Sequence, residues 1–578
     1  MIPFRVWAPK AKRVEVKIRS ELFGMSAGEK GWWFGEIPLT AAAIDYAFVL
    51  DDGEPLPDPR SPWQPSGIHG PSRTVDHGAF SWTDQRWQAK PLASAILYEL
   101  HVGTFTPPGR FIAAIDKLDY LVNLGVTHIE LMPVAEFSGK RGWGYDGVDL
   151  YAPHHAYGEP DDLKRLVDAS HAKGLAVILD VVYNHLGPAG NYLARFGPYF
   201  TERYATPWGQ AVNLDGRGSD EVRRLLCDNA LMWLRDYHFD GLRIDAVHAI
   251  VDTSAVHFLE QLACEVADLQ AQTGRHLALI AESDLNDPRI IRPREIGGYG
   301  IQAQWSDDFH HALHAALTGE RAGYYADFGS LADVAKALQR VFVYDGCYSV
   351  FRHRLRGKPP SGLLGHSFLG YLQNHDQIGN RAKGERSSNL LSVGRLKIAA
   401  ALVLTAPFIP MLFQGEEWGA RSPFLYFTDH DDPDLGRNVT EGRRREFAAF
   451  GWNPAEIPDP QARETFERSK LNWNEREEEP HAGLLVWYRR LIQLRREIPA
   501  LSDGRLDRIR VSFDEIAKWF VVKRGSVLVV CNLNQVLQRV PAGIEAGSRL
   551  LLASEDKVQL FQETVELPPD SLAILSAG

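Results

Sequence analysis

The chain has 578 residues, 45% of them hydrophobic and 24% charged, with a formal net charge of −11. That length supports one large domain with a sizeable core plus one or two small ones. The acidic balance excludes nucleic acid and anionic membranes as natural partners, because both want a basic face. No apolar run reaches the roughly 18 residues of a membrane span.

Residues 1–90 read as short strands, "RVWAP", "RVEVKI", "WWFGEIP" and "IDYAFVL", punctuated by Gly, Asp and Pro. They predict a small β-sandwich domain, and "DQRWQAKPLA" reads as the linker that leaves it. The opening residues alternate like a strand and lack the basic and apolar blocks of a signal peptide, so a cytoplasmic location is expected. Cys227, Cys264, Cys347 and Cys531 are scattered without a CxxC pair, which predicts reduced thiols and no zinc-finger spacing.

Over residues 91–500 the rhythm changes to continuous apolar strands alternating with amphipathic helices. The strand candidates are "AILYELHVGTF", "VTHIELMPV", "LAVILDVVYNH", "FDGLRIDAVHAI", "LALIAESD", "IQAQWSDDF", "FLGYLQNHD" and "APFIPMLFQGEEW". Eight strand signals, each followed by a helix or long loop, predict an α/β fold of the (β/α)8 TIM-barrel type with inserted loops. The G-x-G-x-x-G turn of a nucleotide-binding open sheet is absent from the sequence. Residues 501–578 return to strands, such as "AKWFVVKRG" and "SVLVVCNLN", and predict a C-terminal β-sandwich domain.

In such a barrel, catalytic groups come from the C-terminal ends of several strands. The third strand, "VILDVVYNH", holds Asp180 inside an apolar run and ends in Asn184 and His185. The fourth ends with Arg243 and Asp245, two residues apart and so on one strand face. The fifth ends in Glu282 and the seventh in His375 and Asp376. A lone acid after a strand is usually a helix cap, and Arg243 beside Asp245 could be only an ion pair. Four strands converging on one rim with acids, histidines and an arginine read jointly as a catalytic site. Three carboxyl groups and an arginine, without a metal or cofactor signature, suit glycoside cleavage, which needs a carboxylate below the anomeric carbon and an acid at the leaving oxygen. Aromatic residues make up 11% of the chain, and those in Gly-rich loops such as "GWGYDG" and "PWGQ" suit stacking on a neutral sugar.

The segments "DVVYNH", "GLRIDAVH", "AESD" and "QNHD" resemble, in order and spacing, the four motifs of the α-amylase family of glycoside hydrolases. The resemblance implies a retaining mechanism, with Asp245 as nucleophile, Glu282 as general acid/base and Asp376 as transition-state stabiliser. It implies supporting contacts from Arg243, His185 and His375, a stacking ring at Tyr145, and bracing roles for Asp180 and Asn184. The stretches "IAESDLNDPR", "QWSDDFHHALH", "QNHDQIGNRAKGER" and "LFQGEEWGARSPFLYFTDHDDPDL" resemble the subgroup that cuts the α-1,4 bond beside a terminal trehalose. The implied substrate is maltooligosyltrehalose, and the enzyme that makes it is the implied functional partner. Candidates for holding the trehalose are Trp305, Asp307, Asp308 and His310 after strand six, Gln377 and Arg381 after strand seven, and Glu417 after strand eight. Loop capping and salt bridges are the competing reading of each. The adjacent acids Asp307 and Asp308 stand out because they repel unless something separates them. The nucleophile motif continues "AVHAI", so His248 is followed by Ala249 where many amylases carry a Lys-His pair, which implies a different occupant beyond the cleavage point. No compact Asp/Asn loop predicts calcium. No metal or cofactor, no nucleic-acid or membrane partner, and a monomeric state are expected. A glycogen branching or debranching enzyme and a non-catalytic glucan-binding protein are the rival readings.

Overall fold

The computed structural model describes residues 2–38, 43–449, 452–545 and 547–576. Eight parallel strands close into a ring: β1 (Leu97–Leu100), β2 (His128–Leu131), β3 (Ala176–Val181), β4 (Gly241–Ile244), β5 (Ala278–Ala281), β6 (Ala303–Trp305), β7 (Phe368–Tyr371) and β8 (Ile409–Phe413). Each pairs with the next, and β8 closes on β1. All eight lie within the apolar runs that predicted them.

Alternation along each strand sorts the side chains between the lumen and the surrounding helices. Leu97, Ile178, Ile280, Ala303, Leu369, Ile409 and Met411 form one buried apolar cluster that plugs the lower lumen. Two residues further along β1, β3 and β4 the same inward register brings Glu99, Asp180 and Arg243, and Asp180 pairs in register with Arg243. The barrel is therefore oily at one end and charged at the other. Among the surrounding helices, Pro160–Ala172 shows how the sequence sets the ends: proline at the first turn, a reciprocal Glu159/Asp162 capping box, and Gly174 at positive φ as the stop.

The N-terminal strands form two facing sheets. One joins Ile2–Trp7, Trp32–Ile37 and Ser26–Ala27, and the other centres on Val14–Ile18 and Asp45–Leu50. Phe4 of the first meets Tyr46 of the second with ring centroids 4.9 Å apart. The segment expected to be a linker is seated firmly on the barrel. Asp84 accepts from His171 and His238 at 2.8 Å each, and Trp87 stacks on His171 at 4.7 Å. After β3 a two-stranded ribbon, Phe200–Thr206 with Gly209–Val212, rises over the rim with Trp208 in its turn. Its base rests on the N-terminal domain through Tyr199 against Trp7, centroids 5.3 Å apart. At the C-terminal end a five-stranded and a three-stranded sheet enclose Val521, Val530, Val540, Val565, Leu567 and Leu575.

Gly241 opens β4 where a Cβ would overlap the Ala278 carbonyl oxygen of β5 and sit 2.8 Å from Ile178 Cδ1. Gly241→Ala should therefore cost about 1–3 kcal/mol of unfolding free energy, read from chemical denaturation. A wild-type midpoint would show that the lumen gives way more readily than its packing indicates.

Candidate active site

Arg243 is fully buried, and its guanidinium joins three acids from three strands. Nη1 donates to both oxygens of Asp180 at 2.8 Å and to Asp245 Oδ1 at 3.0 Å, while Nη2 lies 2.9 Å from Glu282 Oε2. Its flat face lies over the Trp305 ring, 4.2 Å from the centroid. Asp245 follows β4 directly, and its N–H donates to Val181 O; Glu282 follows β5, and its N–H donates to Ile244 O. The strand ladder thus extends just far enough to lock both backbones. Glu282 Oε2 also accepts from the Ala246 N–H at 2.7 Å.

One guanidinium facing three carboxylates in a dry pocket leaves the group short of positive charge. Burial, and then the charge of Glu282, push Asp245 well above the usual carboxylate range despite Arg243. Burial also pushes Glu282 upward, but Arg243 and the Ala246 N–H outweigh it and hold Glu282 low. Asp180 is pushed up to about 6 by burial, against Arg243 and Tyr145. Asp245 and Glu282 therefore titrate as one pair around Arg243, not independently.

A second chain of contacts runs through His375. Its Nδ1 lies 2.5 Å from Glu99 Oε1, and its Nε2 lies 2.9 Å from Tyr145 Oη, which donates to Asp180 Oδ2 at 2.6 Å. Burial would lower His375, but Glu99 and Asp376 raise it to about 9. The ring is an imidazolium at neutral pH, so both nitrogens donate. Asp376 is oriented by the cap of its helix, where Asn374 Oδ1 accepts the Asp376 N–H at 2.9 Å. Burial pushes Asp376 up, and His375 opposes it. His185 is pushed down to about 4 by burial and is a neutral ring.

Asp245, Glu282, Asp376, Tyr145, His185, His248 and His375 all line one open cleft of about 590 Å³. That lies within the ~300–1000 Å³ typical of a ligand site and holds several sugar rings. The cleft wall also holds residues that the sequence reading passed over: Trp143, Asp146, Trp208, Asn380, Tyr426 and Arg443. Trp208 stacks on His185, centroids 4.6 Å apart and rings within 9° of parallel. Trp143 and Trp208 lie in the aromatic loops already noted, which was the available signal. Arg443 comes from the helix Pro433–Ala449, whose sequence carries no comparable mark. Glu99 was also missed, although an acid inside "LYEL" is the same signal as Asp180.

None of the seven proposed trehalose contacts is among the residues lining the cleft, and six of them are engaged within the protein. Asp308 turns away from the cleft and accepts from Asn286 Nδ2 and the Val343 and Tyr344 N–H groups at 2.7–2.8 Å. His310 is buried between Leu372 O and Tyr325 Oη. Glu417 is fully buried, bound by Tyr98 and Tyr120. Gln377 closes the capping box of its helix by accepting the Asn374 N–H. Arg381 makes a two-pronged bridge to Glu320. Trp305 is buried beneath Arg243. Asp307, the seventh, is partly exposed and accepts from Tyr371 Oη at 2.5 Å, outside the cleft lining. Burial, and then the charge of Glu282, push it up to about 8. The two adjacent acids escape repulsion by pointing to different partners, not by sharing a ligand.

Set beside known proteins, residues 80–205 match the alpha amylase catalytic domain, and residues 504–574 match a domain of unknown function. A malto-oligosyltrehalose trehalohydrolase from Rhizobium sp. (strain M-11) is 50% identical over 581 residues, spanning 99% of this chain and 97% of its own length. A crystal structure from Salmonella typhimurium, named as an alpha amylase, superposes with a TM-score of 0.91 at 39% identity, covering 99% of this chain and 97% of that one. A 1,4-alpha-glucan branching enzyme from Corynebacterium jeikeium (strain K411) is more distant, 30% identical over 72% of this chain and 61% of its own length.

His375 holds its proton more tightly when folded, with a value raised from 6.5 to about 9. Its contribution to stability is therefore complete below about pH 6.5 and disappears as pH rises through about 9. Across that window the wild type should lose about 3 kcal/mol of unfolding free energy that His375→Gln does not lose. Parallel pH profiles from denaturant titrations of the two proteins would refute the imidazolium.

Proposed function

The chain belongs to the malto-oligosyltrehalose trehalohydrolases of the α-amylase family, and we propose that its cleft performs their hydrolysis by a retaining, two-step mechanism. The bond cut is the α-1,4 link beside the terminal trehalose, and the products are trehalose and a maltooligosaccharide. The observation that carries the mechanism is the Arg243 guanidinium joining Asp245 to Glu282 at the floor of a cleft that Asp376 also lines.

In the first step Asp245 attacks the anomeric carbon from below. Glu282 gives its proton to the leaving oxygen, trehalose departs, and the maltooligosyl unit remains as an ester on Asp245. In the second step Glu282 takes a proton from water, the water oxygen attacks the same carbon, and Asp245 is released. Two inversions retain the anomeric configuration, as expected of carboxylates about 5–5.5 Å apart. The first step requires the shared proton on Glu282. Asp376 and the neutral His185 hold ring hydroxyls, and Tyr145 presents its ring to the same sugar. His248, exposed on the Glu282 side of the cleft, faces the leaving trehalose.

Hydrolysis is favoured over branching by the 50% identity to a trehalohydrolase over 99% of the chain, against 30% over 72% for a branching enzyme. The substrate must come from an enzyme that converts the reducing end of a maltooligosaccharide to trehalose, which we place as the functional partner. The four cysteines are unpaired, in keeping with a reducing cytoplasm, and among the described residues no helix is long and apolar enough to cross a membrane. We take the active unit to be the monomer.

Glu282→Gln should lower kcat on maltooligosyltrehalose by about 10²- to 10⁴-fold while KM stays within about tenfold, with trehalose followed by chromatography. Retained turnover in the variant would remove Glu282 from its role. A wild-type enzyme that rearranges the glucan without freeing trehalose would replace hydrolysis with transfer.

A further inference from the structure

The loop that brings Trp143, Tyr145 and Asp146 to the cleft is closed at its base by a short antiparallel pairing of Ala135–Glu136 with Asp149–Pro153. His154 and His155 follow that pairing directly. One ligand atom each from Glu136, His154 and His155 falls within 4.8 Å of the other two. We propose that these three side chains bind a divalent transition-metal ion, zinc by the chemistry of the donors, and that the ion clamps the base of this loop.

The contacts within the cluster suit a shared ligand better than a closed hydrogen-bond set. Glu136 and His154 are fully buried, and His155 is 21% exposed on the open side. His155 donates to Glu136 through both its backbone N–H at 2.8 Å and Nδ1 at 2.7 Å. His154 Nδ1 stands 3.2 Å from Glu136 Oε2, close enough for an ion pair but out of line for a good hydrogen bond, and His154 Nε2 has no hydrogen-bond partner. A buried polar atom left unpaired costs about 1–3 kcal/mol. Atoms that lie close without pointing at each other are what metal ligands show, since each points at a common centre. Zinc bonds of about 2.0–2.2 Å in a tetrahedron separate neighbouring donors by roughly 3.3–3.6 Å, close to the His154–Glu136 spacing.

Charge argues the same way. Asp149 lies opposite Glu136 across the strand pair and is buried, and its Oδ2 has no hydrogen-bond partner. Among the described residues these two imidazoles alone lie in ion-pair range of Glu136, with no Lys or Arg there. A dication would neutralise Glu136 and relieve its repulsion with the buried Asp149, leaving the fourth coordination position to water. Two imidazoles and a carboxylate favour zinc over calcium, which wants six to eight oxygens. Binding would rotate the partly exposed His155 ring off Glu136 and onto the metal.

The test uses the full chain, stripped with chelator and then given zinc alone. After gel filtration, elemental analysis should find one equivalent of zinc in the wild type, and the thermal midpoint should rise by a few degrees. His154→Ala and His155→Ala should each retain at least tenfold less. His155→Ala, on the exposed side, serves if His154→Ala does not fold. Cobalt in place of zinc should give the intense visible bands of a tetrahedral site in the wild type and not in the variants. Failure of the wild type to retain zinc, or equal retention by His155→Ala, would overturn the site.

Discussion

The guanidinium of Arg243, sealed into the upper lumen and shared by Asp180, Asp245 and Glu282, sets what every other part of the site is able to do. Without it, three carboxylates drawn from three strands would repel one another where water cannot screen them. With it they are held together but remain short of positive charge, and that deficit raises the affinity of the nucleophile for a proton. The apolar plug beneath makes the deficit matter, because it removes the solvent that would dissipate it. Removing a buried charge partner costs far more than the pair contributes as a unit, so the fold tolerates the acids only around this arginine.

His375 plays the complementary part from the opposite side. Held between Glu99 and Tyr145, it carries a fixed positive charge to the edge of the cleft and fixes Tyr145 through its hydroxyl. Tyr145 in turn reaches Asp180, so the two cationic centres are joined by a continuous line of hydrogen bonds. The cleft floor is one network, assembled from β1, β3, β4 and the ends of β5 and β7.

Much of this could be read before any coordinates. An acid in the middle of an apolar strand has to be an inward-facing group with a partner, and Asp180 announced itself so. Period-two alternation put Arg243 and Asp245 on one face. What could not be read was direction around a turn or helix. Asp308 and His310 sit in the first turn of the helix Asp307–Thr318, where successive residues fan through a full circle, and neither points to the cleft. Glu417 follows its strand, but Gly415 at φ 83° and Gly419 at φ 65° curl the chain back under the rim, delivering the acid to Tyr98 and Tyr120. How the N-terminal linker packs could not be read for a related reason: the histidines that pin Asp84 lie far along the chain.

The ribbon over the rim separates two properties that a barrel enzyme usually has to change together. Trp208 hangs from a pair of strands outside the ring, steadied from behind by the N-terminal domain through Tyr199 and Trp7, and meets the catalytic floor by lying flat on His185. Bond-breaking geometry is inherited from the staves, whereas the shape of the oligosaccharide admitted is set in part by an appendage that descent or engineering can graft, shorten or swap without disturbing a single carboxylate.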